Sequence, residues 1–597
     1  MEVILSAHTD RLEYSESGDQ EGSVTVRPVI YGLNNVISTG HWLTSFAGAR
    51  MLMQGGNAFD AAVAATFAAA VVEPTSSFSF GSECVCMLWD AKKREVRSLC
   101  GQGAAPKEAT SGFFLKKGER SIPTGPGPKA PLSFTTPGMF GAALRMLRDY
   151  GTKSIQEVLQ PAIEYASQGI AFYEYMVARL DDFGRDQLQS FTPAVAEIFY
   201  PGGERGKTGD LLKQPALART LQSLANAANG LERLEGIGAA RVQFYSGAIA
   251  DEINAASKRL GGPLRKDDLE AFQEDYEQPV MGEFEGCTIQ CQSFWSQAPV
   301  LIQALNILEN FDLRKLQFNS PGYIHIVSEA LKLALVDRDA YYGDPKLVEV
   351  PQSALLSKEY AKDRARLIDL SRAMAGLPAP GIIDGFRAGT IASCEASPKP
   401  ASGPETGTTH ISVIDAVGNV VACTPSGGAF SKSVFLEELG FTLSTRSEMF
   451  NLDESHPNCV APGKRPRTTL VSYILTSPTG DIMAFGCPGG DAQVQANLQL
   501  ILNMLVWEMN AQTAVEARRF ATNSVPNSFY PHTCSRGNLT LESGFPQETI
   551  ATLKDMGHAV SHVSTCGMGA TVTLMSKETG VRVTSSDPRR SCHAIGW

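Results

Sequence analysis

Apolar positions recur at helical spacing through residues 42–54, and Gly55-Gly56 follow where a helix would stop. Asn57 is placed to cap a second helix over 58–72, an Ala-rich run suited to close packing that ends before Pro74. Residues 84–89 and 95–99 predict a β-hairpin across a charged turn, broken by the Gly- and Pro-containing run 101–106. A long helical stretch occupies 137–229, clearest over 154–168, with further helices predicted at 246–260, 321–341 and 358–370. Residues 395–407, rich in Pro, Gly and Ser, predict a linker and the sharpest boundary in the chain. Beyond it the pattern turns strand-like, at 408–415, 420–424, 468–476 and 482–486, as two hairpin-like pairs. A helix over 491–508 then puts Val494, Leu498, Ile501, Leu502 and Leu505 on one face. Further strands are predicted around Leu539, 572–574 and 581–583. Strand layers covered by helices on both sides are the architecture this order favours. No solenoid-length repeat is present.

Two places in that pattern carry candidate chemistry. Gly407-Thr408-Thr409-His410 leads into the strand after the linker, and the chain turns back at Gly418-Asn419. By periodicity this is a plain hairpin. Chemically, Thr408 would be a nucleophile if it became a new N-terminus: its own α-amine, with a pKa of about 7.7–8.0, can serve as the base its hydroxyl needs. Gly407 suits the bond to be cut, because a residue without Cβ tolerates strained backbone angles. The second place is Cys487-Pro488-Gly489-Gly490-Asp491, between a strand and a helix. Adjacent backbone N–H groups at a helix start can stabilise an oxyanion. Alone, it is equally an ordinary tight turn.

Composition narrows the function classes. With 43% apolar and 19% charged residues the 597-residue chain can bury a large core. A net charge of -11 and the lack of a basic stripe argue against nucleic-acid or membrane partners. The start lacks the features of a signal peptide, and 58–72 is too short to span a bilayer, so a cytoplasmic location is expected. The twelve cysteines are expected as reduced thiols, with Cys84 and Cys86 on one face of their strand. Cys287 and Cys291 lack a second close pair. His558 and His562, on a strand-like run, would sit roughly 13 Å apart at ~3.3 Å per residue. No metal and no cofactor are expected.

A set of ordered motifs then identifies a resemblance. Gln54-Gly55-Gly56-Asn57-Ala58-Phe59-Asp60-Ala61-Ala62, Leu159-Gln160-Pro161-Ala162-Ile163 and the run from Asp337 to Pro345 lie before the linker. Thr408-Thr409-His410, Pro462-Gly463-Lys464-Arg465-Pro466, Pro488-Gly489-Gly490 and Ser586-Asp587-Pro588-Arg589 follow it. Over residues 25–597 the chain resembles the γ-glutamyltranspeptidase family of N-terminal-nucleophile hydrolases. The resemblance implies an αββα four-layer sandwich made as a proenzyme that cuts itself between Gly407 and Thr408. A tail (1–25) would precede a helix-rich large chain (26–407) and a strand-rich small chain (408–597), the two remaining one intertwined domain. It further implies Thr408 as nucleophile, Gly489 and Gly490 as oxyanion donors, Ser426 positioning the nucleophile, and Thr409 aiding maturation or serving structure.

Departures from the family pattern bear on substrate. Where γ-glutamyl enzymes carry an arginine for the glutamate α-carboxylate, this chain has Gln102, so a bidentate charge pair is missing. The stretch that holds the α-amine becomes Thr445-Arg446-Ser447-Glu448-Met449, with Met449 at the expected acid, and a Ser-Ser pair becomes Thr468-Thr469 after Arg467. Gln102, Arg446, Glu448, Arg467, Thr468 and Thr469 are therefore the expected substrate contacts, with Arg446 alternatively paired to Glu448. The leading expectation is an amidohydrolase or acyltransferase acting on a small-molecule amide through an acyl-enzyme on Thr408. A γ-glutamyl transferase or glutathione hydrolase with a rearranged clamp, and an inactive member with a binding role, are the alternatives.

Overall fold

The computed structural model describes residues 25–597 apart from 77, 126, 184, 187–192, 392–406 and 567–568. The N-terminal tail, save its last residue, and nearly all of the expected linker lie outside the described residues. Strands of the two main sheets are β1 (Ile30–Gly32), β2 (Val36–Thr39), β3 (Glu83–Asp90), β4 (Glu95–Gly101), β5 (Asp275–Glu277), β6 (Val280–Phe284) and β7 (Cys287–Cys291) before Thr408. After it come β8 (Ile411–Ile414), β9 (Val420–Ser426), β10 (Tyr473–Thr476), β11 (Ile482–Gly486), β12 (Thr571–Met575), β13 (Arg582–Ser586) and β14 (His593–Gly596). One sheet has the order β1-β13-β12-β11-β10-β7-β6, the other β14-β2-β8-β9-β3-β4-β5, and every pairing is antiparallel. Both sheets interleave strands from either side of the Gly407–Thr408 bond.

Alternation along each strand builds three stacked cores. Val36, Met87, Ile414, Ala422, Ile474 and Ala484 fill the space between the sheets. On the outer face of the β8–β9 sheet, Ile411, Val413, Val421 and Cys423 pack against helices α1 (Trp42–Met53), α2 (Ala58–Val72), α3 (Met139–Tyr150) and α4 (Ile155–Gln168). On the outer face of the other sheet, Ile289, Tyr473, Met483, Phe485 and Val572 meet α5 (Pro299–Leu308), α6 (Pro321–Tyr341) and α7 (Ala492–Leu505). The layering is the expected αββα sandwich. Among the described residues no helix is long and apolar enough to cross a membrane.

Helix α2 is buried along its whole length, which its small side chains permit. Asn57 and Asp60 form a capping box at its start. Asp60 also accepts from Thr152 N (2.8 Å), Thr152 Oγ1 (2.8 Å) and Lys153 N (3.0 Å), tying α2 to the loop between α3 and α4. Some expectations shift. The helix expected at 358–370 stops at Ala365, and Asp369 instead turns the chain by accepting from Ser371 N. The strand expected at 468–476 forms a continuous ladder only from Tyr473, with Thr468 making a single parallel bridge to Ser296. Among the described residues ten cysteines are free and buried, as reduced thiols would be, but Cys534 is disulfide-bonded, against that expectation.

Asp60→Ala should lower stability by about 3 kcal/mol, since it strands several buried donors at once. A denaturant midpoint equal to that of the unmodified chain would contradict this.

Candidate active site

The β8–β9 register, Ile411 opposite Cys423, continues past the paired strands: Thr409 N donates to Pro425 O at 3.3 Å. Thr408 therefore falls opposite Ser426, and their hydroxyl oxygens lie 2.8 Å apart. Thr408 has a φ of +86°, a region that a β-branched residue adopts only under strain. Its peptide N–H donates to Ser76 O, and its carbonyl accepts from Arg590 Nη1 at 2.9 Å. Arg590 Nη2 also donates to Ser76 Oγ (3.0 Å), so one buried guanidinium braces both segments. Thr409 points to the opposite face, beside Glu73 at the end of α2. A Cβ on Gly40 would come within 2.1 Å of the Thr409 hydroxyl and 2.3 Å of Glu73 Oε2, so only glycine fits there. Burial raises the Glu73 pKa, with Arg590 opposing the shift.

The Gly-Gly turn reaches Thr408 from the other sheet. Strand β11 ends at Gly486, where a Cβ would lie 2.2 Å from the His410 ring. Gly489 and Gly490 have φ of 125° and 54°, values that favour glycine. Among the described residues neither of their amides has an acceptor. Gln297 Nε2 donates to Gly490 O (2.9 Å) and Thr469 O (2.8 Å), while its Oε1 accepts from Arg338 Nη1 (2.8 Å). Arg338 reaches Asp491 at 2.5 Å, and Asp491 accepts from Ser528 N and Oγ, both at 2.6 Å. Burial would raise the Asp491 pKa, but Arg338 and Arg467 outweigh it and hold it below the usual carboxylate range.

A cleft of about 160 Å³ is lined by Thr408, Ser426, Arg446, Glu448, Gly490 and Phe529, among others, with Gly407 at its edge. Arg446 does not pair with Glu448. Its Nε donates to Glu83 Oε1 at 2.5 Å and its Nη2 to Ser426 Oγ at 3.0 Å. Glu448 accepts from Tyr530 N (3.1 Å) and lies 4.0 Å from Lys432 Nζ; burial raises its pKa. The other expected contacts lie elsewhere. Gln102 lines a second cavity of about 420 Å³, with Thr136, Asp344 and Arg465. The wall between the two spaces includes the bonds Thr135 N to Ser444 O and Thr136 N to Ala104 O, both 3.2 Å. Arg467 is buried behind the Gly-Gly turn, donating to Ser528 Oγ (2.6 Å) and pairing with Asp339 (3.1 Å). Thr468 and Thr469 accept through their carbonyls from Gln297 and are not among the residues lining the cleft. Sequence reasoning missed Glu73, Glu83, Gln297 and Arg590. Only Arg590 had a local signal, directly following the Ser586–Arg589 motif.

Two groups of side chains among the described residues could bring ligand atoms to one ion: Cys84, Cys86 and Cys423, and His325, Glu329 and His558. In the second, Lys332 Nζ lies 2.6 Å from Glu329, so an ammonium already supplies the positive charge. His558 bonds His325 at 2.9 Å rather than approaching His562.

The two stacked sheets between helical layers are the fold of N-terminal-nucleophile hydrolases, shared with a cephalosporin acylase from Bacillus halodurans. That structure matches with a TM-score of 0.81 and 26% identity over 97% of this chain and 99% of its own. The structure of LmbA2991HD matches with a TM-score of 0.90 and 35% identity, covering 96% and 100%. The sequence pattern of the family described as gamma-glutamyltranspeptidase spans residues 44–597. A glutathione hydrolase proenzyme from Escherichia coli is 31% identical over 91% of this chain and 88% of its own. The chain belongs to the γ-glutamyltranspeptidase family, and so to the enzymes that hydrolyse amide bonds or transfer their acyl groups.

Burial pushes His410 down to about 3, so the folded protein holds it neutral, bonded to Thr424 Oγ1 (2.6 Å) and Ser412 Oγ (3.0 Å). An unfolded histidine takes up a proton below about pH 6.5, so this contribution is present above that pH and lost as pH falls toward 3. Between about pH 6 and 4 the unmodified protein should lose ~1.4 kcal/mol per pH unit more than His410→Gln does. Parallel stability–pH curves for the two would refute the assignment.

Proposed function

We propose that the chain is a self-processing amidohydrolase or acyltransferase with Thr408 as its N-terminal nucleophile. The observation that carries this is the meeting, in one cleft, of the Thr408 hydroxyl, Ser426 and Gly490. In maturation, Thr408 Oγ1 attacks the Gly407 carbonyl and the Gly407–Thr408 C–N bond breaks, so that the peptide becomes an ester with the Thr408 amine free and carrying the hydroxyl proton. Water then hydrolyses the ester to the Gly407 carboxylate and the Thr408 hydroxyl. The positive φ at Thr408 stores strain in the segment that this step changes. In turnover the amine takes the hydroxyl proton as the oxygen attacks an amide carbonyl. The Gly489 and Gly490 amides receive the developing negative charge. The leaving amine departs protonated, and water or another amine releases the acyl group. Interleaved strands keep residues up to 407 and from 408 in the same two sheets after the cut.

The cleft suits a small amide and not a glutamate zwitterion. Gln102, at the position of the family's carboxylate-binding arginine, faces the other cavity. Met449, at the position of its acid, is buried, with its carbonyl held by Asn458 Nδ2 at 2.7 Å. A carboxylate and an ammonium taken from water need charged partners, and these two side chains supply none.

On denaturing gels the purified protein should run as two fragments, the smaller with Thr408 at its N-terminus, and Thr408→Ala as one inactive chain. Processing of that variant at the same bond would refute the nucleophile, and an intact wild type after long incubation would favour an inactive binding protein.

Hydrolysis of a γ-glutamyl anilide should be slow beside that of simple dicarboxylate monoamides. A kcat/KM of about 10⁴ M⁻¹s⁻¹ or more on the anilide, ordinary for an enzyme on its own substrate, would instead make this a γ-glutamyl enzyme.

A further inference from the structure

We infer that Arg446, held by Glu83, is a positioning residue that sets the direction of the hydrogen bond between Ser426 and Thr408. The inference rests on Thr408 being the nucleophile. A guanidinium carries donors only, so Ser426 Oγ must accept from Arg446 Nη2 across their 3.0 Å contact. Among the described residues the only other hydrogen-bond partner of Ser426 Oγ is Thr408 Oγ1, so the proton of Ser426 is aimed to donate across that 2.8 Å. In the matured chain, where the Thr408 nitrogen is a free amine, the proton of Thr408 is then turned away from Ser426 and toward that base. As the hydroxyl attacks, its proton moves to that nitrogen and negative charge grows on Oγ1. Arg446 and Ser426 neither gain nor lose a proton; they supply a positive charge one hydroxyl away.

Glu83 and Arg446 have the placement this needs. Glu83 is the first residue of β3 and stands in register directly opposite Ser426 of β9. Its carboxylate, fully buried, grips Arg446 Nε at 2.5 Å, and the Arg446 side chain is itself only 4% exposed. Glu83 and Ser426 thus hold two atoms of one rigid fork, Nε and Nη2. Gly427, at a φ of +103°, leaves the space: a Cβ there would meet the Glu83 carboxylate at 2.9 Å. Phe529 covers the guanidinium from the cleft side, with its ring centre 5.6 Å away. An arginine meant to grip an anionic acyl group would offer its fork to the cleft. Here two of its donor nitrogens are already committed, and one points at the residue beside the nucleophile.

Self-cleavage separates this role from substrate binding, because it uses the same hydroxyl with no substrate present. Conversion of freshly synthesised precursor would be timed on gels for wild type, Arg446→Gln, Arg446→Lys, Ser426→Ala and the Ser426→Ala/Arg446→Gln pair. Arg446→Gln should slow cleavage about tenfold, the loss of one charge-assisted hydrogen bond, and Arg446→Lys should recover part of it. In the Ser426→Ala background Arg446→Gln should add almost nothing, since its route to Thr408 is gone. In mature enzyme, kcat should fall on neutral and anionic amides alike with KM little changed. Should Arg446→Gln fail to fold with Glu83 left unpaired, Glu83→Gln/Arg446→Gln removes both charges and should show the same slow cleavage at an unchanged thermal midpoint. Wild-type cleavage rates in the variants, with KM raised only for anionic amides, would overturn the inference and make Arg446 a substrate clamp. An uncut wild type is a different result, and would overturn the nucleophile assignment beneath it.

Discussion

The contact between the His410 ring and the bare α-carbon of Gly486 is the constraint on which the site depends. Face-to-face sheets ordinarily stand about 10 Å apart, yet the Thr408 strand and the Gly-Gly turn belong to opposite sheets. His410 fills the gap while Gly486 gives way to it. The ring is fixed by Thr424 and Ser412 within its own sheet, and Thr424 in turn donates to Val471 O (2.6 Å) in the chain leading to β10. A neutral imidazole, bonded on both nitrogens and buried, is a spacer of fixed width. Two residues after Thr408 and three before Gly489, the layers are locked at a separation that lets both sides line one cleft.

Much of this was legible in sequence. The helices at Trp42–Met53, Ala58–Val72 and Pro321–Tyr341 have local side-chain caps and clear stop signals, and their expected bounds agree with the structure to within a residue. The hairpin carrying Thr408 was visible because Gly418-Asn419 marks its turn. Strands β1, β2, β6 and β7 were not. β1 and β2 are three and four residues long and gain their partners from far along the chain, so no window of sequence contains the pairing that defines them. β6 and β7, by contrast, pair with each other as a local hairpin across Glu285-Gly286 that the sequence reading passed over. The contrast between a helical first part and a strand-rich second part was for this reason too sharp.

The chemistry divides in the same way. Thr408, Ser426 and Gly490 were placed by motif, and the structure brings them to one cleft. Arg467 looked like a free cation near the site, but its partners Asp339 and Ser528 lie 128 and 61 residues away. Arg446 was expected as a substrate contact, with the acid two positions on as its alternative partner, but in the 3-10 turn that carries both it is Glu83, across the sheet, that holds it. The buried guanidinium groups of Arg338, Arg446 and Arg467 are paired with carboxylates before any ligand arrives, which offsets the cost of leaving a charge alone in a low dielectric. Sequence shows the charges; only the fold shows which are already spoken for.

The brace that Arg590 places on Ser76 and Thr408 joins residues made at very different times. Arg590 lies 182 positions beyond the residue whose carbonyl it holds. At ordinary rates of synthesis it leaves the ribosome on the order of ten to forty seconds after Thr408. Until then nothing from this part of the chain steadies the strained peptide, and β14, which borders β2, does not exist. On the self-processing reading, the cut is thereby timed by translation: the nucleophile is exposed only in a molecule that has already finished building the sheet edge behind it.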